Sequence, residues 1–343
     1  MAASDCTRRS LLIALAATAG STLAPVRAAG PVAIRPRSRV ILDNDFAGDP
    51  DGLFQMAHHL LSPTTEVRAI IGSHLHTGEA FVSKGNQAAA SATKARELLA
   101  TMGLTGRYPV IAGAESALGS GTPPASAASD AIIAEALKAD DKLPLFYCAG
   151  AGLTDLATAW LREPRIAKRL TLVWIGGPEY PGLWYPPPKA EPSEYNLTID
   201  IEAAQIVFGK SDIEIWQVPR SSYRQMMVGY QELLDKVRST GPLGEYLVGQ
   251  IEKVLRMPSI GNLGEVYILG DSALVTLTAL MSPWQPDPSS SLYVMRPCPN
   301  IDDKGEYVDR PDGRPIRVYT QIDTRLTFED LFAKLRHAHA ARG

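Results

Sequence analysis

Asp43, Asp45, Asp49 and Asp51 place four carboxylates within nine residues, in the stretch Asp43-Asn44-Asp45-Phe46-Ala47-Gly48-Asp49-Pro50-Asp51-Gly52. Carboxylates packed this tightly repel one another and are costly to hold together unless protons or a cation compensate. An oxygen-only donor set, without His or Cys, selects a hard ion, calcium or magnesium. Calcium takes about six to eight oxygens in flexible geometry, which suits an irregular loop containing Gly48 and Pro50. The competing reading is a solvated acidic turn, with Asp49-Pro50-Asp51-Gly52 supplying the turn chemistry. An EF-hand is excluded, because its ligand spacing and closing glutamate are missing. The chain has no CxxC and no Cys/His cluster, which argues against zinc.

Such a cluster needs a rigid support. Short β-rich runs alternate with helical patterns along the chain, which predicts an α/β fold with an open, largely parallel sheet flanked by helices. Arg39 to Leu42 reads as a buried strand leading directly into the acidic loop, and Gly52 to Leu61 as a helix stopped by Ser62-Pro63. Further strands are expected at Val67–Ile71, Pro109–Ala112, Leu143–Cys148, Leu170–Ile175, Ile213–Val218 and Ile316–Ile322. Helices are expected at Asn86–Met102, Asp130–Ala139, Leu153–Arg162, Glu202–Phe208, Asp271–Met281 and within Tyr230–Met257. No fixed-period repeat or linker appears, so one domain from about Gly30 is the simplest organisation. Ligands of open α/β sheets bind beyond the carboxyl ends of the strands. That rule singles out the loops after Leu42, Cys148 and Ile175, and the one before Asp271.

The acidic loop and the helix behind it resemble the N-terminal signature of the inosine-uridine-preferring nucleoside hydrolases, DxDxxxDD followed by an apolar helix, in a divergent DPD form. Other segments resemble that family in the same order. Tyr108–Ala114 is similar to "PVYAGA", Ala149–Ala157 to "TGPLTNIA", and Trp174–Gly177 to "MGG". Glu194-Tyr195-Asn196 with Asp200 and Glu202-Ala203-Ala204 is similar to "EFNxxxDPEAA", the most specific of the set, and Gly270–Leu274 to "HDPLA". The resemblance implies a Rossmann-like nucleoside-hydrolase fold and calcium-dependent hydrolysis of an N-glycosidic bond in a ribonucleoside or related N-ribosyl compound. It implies that Asp45 binds calcium and is the base on a metal-bound attacking water. Asp49, Asp51, the Gly150 backbone carbonyl and Asp271 complete the metal set, with Asp43 behind them. Glu194, Asn196, Asp51 and Asp271 would contact the sugar. Read from spacing alone, Glu194 and Asn196 are polar residues at a helix start, and Asp271 is a helix N-cap.

Two positions depart from the family pattern. The adjacent aspartate pair becomes Asp49-Pro50 or Asp51-Gly52, so that Gly52 replaces a ligand and Asp49 is the candidate substitute. Gly270 stands where many relatives carry a histidine that protonates the leaving base. His76, in the loop after Ile71, is the candidate acid or substrate contact, with His74 beside it. Trp184, Tyr185, Tyr223 and Arg224 are further candidates for the leaving group. Gly52 and Gly270 favour the alternative function, a sugar- or nucleoside-binding protein that kept the metal site and lost turnover. The unusual loops Gly113–Ser129 and Pro178–Pro192 leave a different glycoside open as substrate.

The remaining features bound partners and compartment. A formal net charge of −3, with 21% charged residues, provides no basic face for nucleic acid. Thr7-Arg8-Arg9-Ser10-Leu11-Leu12 opens an apolar run too short to span a bilayer, and Val26-Arg27-Ala28 offers a cleavage site. Residues 1–29 therefore look like a twin-arginine export signal, the alternative being an N-terminal membrane anchor. The mature domain, 30–343, is expected in the periplasm or secreted, free of membrane. The family's habits imply a homo-oligomer. Cys6 leaves with the signal, and Cys148 and Cys298 are either a disulfide or two buried small residues.

Overall fold

The computed structural model describes residues 33–76, 79, 85–119, 125–258, 264–282, 284 and 289–341. The expected export signal lies outside them. Contacts divide the chain into Met1–Ile34 and a compact unit, Arg35–Gly343, and the fold below is that of the second. It begins β1 (Ser38–Asn44), α1 (Asp51–Leu60), β2 (Thr65–Gly72), α2 (Gln87–Thr101) and β3 (Val110–Ala112). It continues α3 (Ala127–Ala136), β4 (Leu145–Ala149), α4 (Thr154–Arg162), β5 (Thr171–Ile175), α5 (Tyr195–Ile199), α6 (Ile201–Gln205) and β6 (Glu214–Val218). Next come α7 (Arg220–Tyr223), β7 (Met227–Gly229), α8 (Tyr230–Lys236), α9 (Pro242–Leu255), β8 (Val266–Ile268) and α10 (Ser272–Thr278). The last elements are β9 (Leu292–Pro297), β10 (Asn300–Ile301), β11 (Tyr307–Val308), β12 (Pro315–Gln321) and α11 (Thr324–Ala340).

Eight strands form one sheet in the order β3-β2-β1-β4-β5-β6-β12-β9. Neighbours are parallel throughout except β9, which runs antiparallel to β12 at the edge. This is the α/β architecture the alternating pattern predicts. The chain steps from β1 through β2 to β3, then restarts at β4 on the other side of β1. The strand order reverses between β1 and β4, the place where an open sheet leaves a crevice. Every residue of β1 is buried. Val40 and Leu42 join a core shared with α1, α2, α9, α10 and α11, whereas Ile41 faces a second core under α3, α4 and α6. Burial on both faces explains why the strand reads as a continuous apolar run.

Several boundaries differ from expectation for local reasons. The helix expected at Asp130 begins at Ala127, because Ser126 and Ser129 make a reciprocal capping box. The one expected to reach Met281 ends at Thr278. The antiparallel pairs β7–β8 and β10–β11 and the edge strand β9 have short or half-exposed patterns. Cys148 and Cys298 are both buried and unpaired, so the disulfide alternative falls. Among the described residues no helix is long and apolar enough to cross a membrane.

Candidate active site

β1 delivers its last residues to the reversal point, where they take different jobs. Asp43 is buried and accepts hydrogen bonds from the Ser73 and Tyr147 hydroxyls. Burial, then the nearby Asp155 charge, pushes its carboxyl up to about 8. It supports the floor from behind. Asn44 binds in two directions: its Oδ1 accepts from the Asp45 amide at 2.9 Å, and its Nδ2 donates to Asp271 Oδ2 at 2.8 Å. Asn44 thus ties the β1 loop to the start of α10.

Two glycines are needed around that carboxamide. A Cβ on Gly52 would lie 2.8 Å from Asn44 Cγ, and one on Gly150 would lie 2.8 Å from Asp271 Cγ. Side chains at either position would displace the Asn44–Asp271 contact. Gly52 is therefore matched to Asn44, which fills the space a larger residue would need.

Asp45, Asp49, Asp51, Gly150, Ile175, Glu194, Tyr195, Asn196, Tyr223, Ile268, Gly270 and Asp271 line one cavity of about 290 Å³. Asp45 follows β1, Gly150 follows β4, and Ile175 ends β5, so the floor is the carboxyl edge of the sheet. Asp51 opens α1 and accepts from the Asp271 amide at 3.2 Å. Asp49 accepts from the Tyr267 hydroxyl at 2.8 Å. Burial is the main reason the acids are hard to ionise, and mutual repulsion adds to it for Asp45 and Asp51. Both are raised well above the usual carboxylate range, with Asp271 and Asp49 as the main repelling neighbours. Burial pushes Asp49 up to about 6 and Asp271 up to about 7.

The calcium that the resemblance implies needs several oxygen donors facing one space. Among the described residues, no three His, Cys, Asp or Glu side chains stand together as a formed metal site. Asn44, Tyr267 and the Asp271 amide each engage one oxygen of these carboxylates. The donor chemistry nevertheless fits a hard cation. Five carboxylates, those of Asp45, Asp49, Asp51, Glu194 and Asp271, line one cavity, and no described lining residue is Lys, Arg, His or Cys.

The model of the family described as inosine-uridine preferring nucleoside hydrolase matches residues 40–301. The chain belongs to that family. It is accordingly a glycosyl hydrolase of the nucleoside hydrolase type. Among solved structures, a plant nucleoside hydrolase superposes with a TM-score of 0.65 at 19% identity, covering 88% of this chain and 99% of that one. The inosine-uridine preferring nucleoside hydrolase of Bacillus anthracis gives 0.59 at 18%, covering 87% and 99%. The purine-preferring ribonucleoside hydrolase of Gardnerella vaginalis gives 0.63 at 16%, covering 89% and 100%. At these identities the likeness shows the nucleoside-hydrolase fold. A comparison with curated proteins finds no match.

Set against the nucleoside hydrolase expectations, most predicted site residues converge. Asp45, Asp49, Asp51, Gly150, Glu194, Asn196 and Asp271 share the cavity. Two of them are more engaged than expected. Glu194 caps α5: its carboxylate accepts from the Leu197 and Gly177 amides at 3.1 and 2.7 Å and from the Tyr223 hydroxyl at 2.8 Å. Most of its oxygen capacity is spent inside the protein, so it is a positioning group more than a free sugar acceptor. Asn196 Nδ2 donates to Gly150 O at 3.1 Å and Ile175 O at 2.8 Å, which also occupies one lone pair of the carbonyl expected to face the metal. Asp271 stands at the N-cap position of α10 but makes no side-chain cap bond.

The histidine expectation changes. His76 does not line the cavity; its Nε2 lies 2.9 Å from Thr198 Oγ1, and its ring meets Tyr195 edge-on. It braces Tyr195. His74 is buried against Thr154. Of the aromatic candidates Tyr223 reaches the cavity wall, while Trp184 and Tyr185 stand exposed away from it. Sequence reasoning missed Asn44, Tyr267 and the cavity role of Tyr195. The dipeptide Asn44-Asp45 at a strand end beside a Gly52 was the available signal for the first; the tyrosines carry none.

Proposed function

We propose that the protein hydrolyses the N-glycosidic bond of a ribonucleoside or related N-ribosyl compound in a calcium-dependent reaction, with Asp45 as the base on the attacking water. The observation that carries this reading is the convergence of Asp45, Asp49, Asp51 and Asp271 with Asn196 in one cavity at the strand reversal, with no cationic side chain among the described lining residues. Asp45, Asp49, Asp51, Asp271 and the Gly150 carbonyl would hold the ion. Bound calcium would orient a water and lower its pKa so that a neighbouring carboxylate can deprotonate it near neutral pH. Asp45, at the floor, takes that proton. Cleavage develops positive charge on the sugar, and the surrounding carboxylates stabilise it. Asn196 has its amide nitrogen committed to the floor, which leaves its carbonyl oxygen to accept from a sugar hydroxyl. Glu194 keeps α5 and Tyr223 in place.

The test is a panel of purine and pyrimidine nucleosides offered to the purified protein, with free ribose as the readout. Release from at least one member is expected. Tight binding without release across the panel would instead favour a binding protein. We further infer one domain over residues 30–343, export on the Arg8-Arg9 motif and self-association. A mature mass starting near Ala29 and a sedimentation mass above one chain are the expected results.

A further inference from the structure

We propose that the substrates this site cleaves best carry a cationic heteroaromatic leaving group, such as an N-ribosylated pyridinium or an N7-alkylated purine, which departs as a neutral base and needs no proton from a general acid. The proposal rests on the hydrolase reading above and deepens it.

The cavity has two unlike ends. At the sheet edge lie the carboxylates, Gly150 and Asn196, where the sugar belongs. At the mouth lie Tyr195, Ile268, Tyr223 and Gly270; Tyr195 and Ile268 are 41% and 40% exposed, which marks the open side where a leaving group would sit. One phenolic proton at the mouth is already committed: the Tyr223 hydroxyl donates to Glu194 at 2.8 Å. Burial, then the Asp45 and Glu79 charges, push the Tyr195 hydroxyl above the usual phenol range, which makes it a poor proton donor near neutral pH. Ile268 and Gly270 have no side-chain proton to give. The nearest imidazole, His76, faces Thr198 and the Tyr195 carbonyl behind the Tyr195 ring. Among the described lining residues there is no Lys, Arg or His.

A neutral purine or pyrimidine leaves as an anion unless it is protonated, and a positioned general acid is worth about 10²–10⁴-fold. A ring already positive at the glycosidic nitrogen has no such need. Water oxygen bonds to the anomeric carbon, the carbon–nitrogen bond breaks, and its electron pair neutralises the ring nitrogen. The water's proton passes to Asp45 and then to solvent, so the products are ribose, a neutral heteroaromatic base and a proton. The rings of Tyr195 and Tyr223, which line the mouth, suit such a cation before the bond breaks. They offer nothing comparable to a departing anion.

The experiment measures kcat/KM of the full-length purified protein, with calcium, on inosine and on 7-methylinosine, each corrected for uncatalysed hydrolysis. A preference of about 10²-fold or more for 7-methylinosine is expected. That ratio should be unmoved in Tyr195→Phe and Tyr223→Phe, even if Tyr223→Phe slows both substrates through Glu194. A ratio under about 10, or a selective loss on inosine in either variant, overturns the leaving-group proposal and leaves the hydrolase reading standing. No ribose from either substrate overturns both.

Discussion

The two ends of the central sheet use the same acidic residue types and solve opposite problems. At the amino end, acids meet arginines. Arg39, opening β1, pairs with Glu135 at 2.7 Å, with side chains only 5% and 15% exposed. Arg68 bridges Glu135 and Asp141. Against the cost of partial burial, the Leu143 amide and the Arg39 and Arg68 guanidiniums hold the Asp141 carboxyl below its ordinary range. At the carboxyl end, Asp45, Asp49, Asp51 and Asp271 meet one another, and each is raised, first by burial. One end is neutralised from within. The other is built for a cation that the chain does not supply, which is how a fold stores electrostatic cost at a functional site.

The contrast can be broken by substitution. The largest effect is expected at the acidic end: Asp45→Ala should lower kcat/KM by about 10³-fold while the far-ultraviolet spectrum stays native. A fall below about tenfold would remove Asp45 from the chemistry. At the paired end, Arg39→Met removes one of the two guanidiniums that Glu135 and Asp141 share and should cost about 2 kcal/mol in urea unfolding. Asp51→Asn should do the reverse in calcium-free protein, raising stability by about 1 kcal/mol, because a repelling charge is removed and the Asp271 amide keeps an acceptor. Equal signs for these two variants would erase the comparison.

A smaller test uses α1, which runs from Asp51 to His58 and His59 on the far side. His59 is buried between Gln55 and Thr278, and burial pushes its imidazole down to about 3; His58 is lowered as well. The folded state keeps His59 neutral while the unfolded chain protonates it. Stability should therefore fall as pH drops below about 6.5, by up to about 1.4 kcal/mol per unit from this residue. His59→Gln should flatten that slope; an unchanged slope would show the group titrates normally.

How much of this was legible follows from what each residue signals. The β1 strand and its acidic loop stood out because burial on both faces demands an apolar run and because clustered carboxylates are rare without a reason. Gly150, Glu194, Asn196 and Asp271 came from ordered motif resemblance, and the fold brings them to one cavity. Both readings of Glu194 hold in part, since it caps a helix and lines the site. Asn44 was passed over because an amide beside aspartates looks like turn chemistry; only the close approach of Gly52 and Gly150 reveals its job. His76 misled because sequence places it in the right loop but cannot say which side of Tyr195 it occupies. The edge strand β9 and the β7–β8 pair escaped because half-exposed strands of three to six residues lack a clear period.

The most direct test of an acidic end built to hold a cation is ribose release measured against free calcium in the purified, chelator-treated protein. Release should be absent without calcium and rise with occupancy of a single saturable site per chain. Hydrolysis that proceeds unchanged in excess chelator would contradict the account.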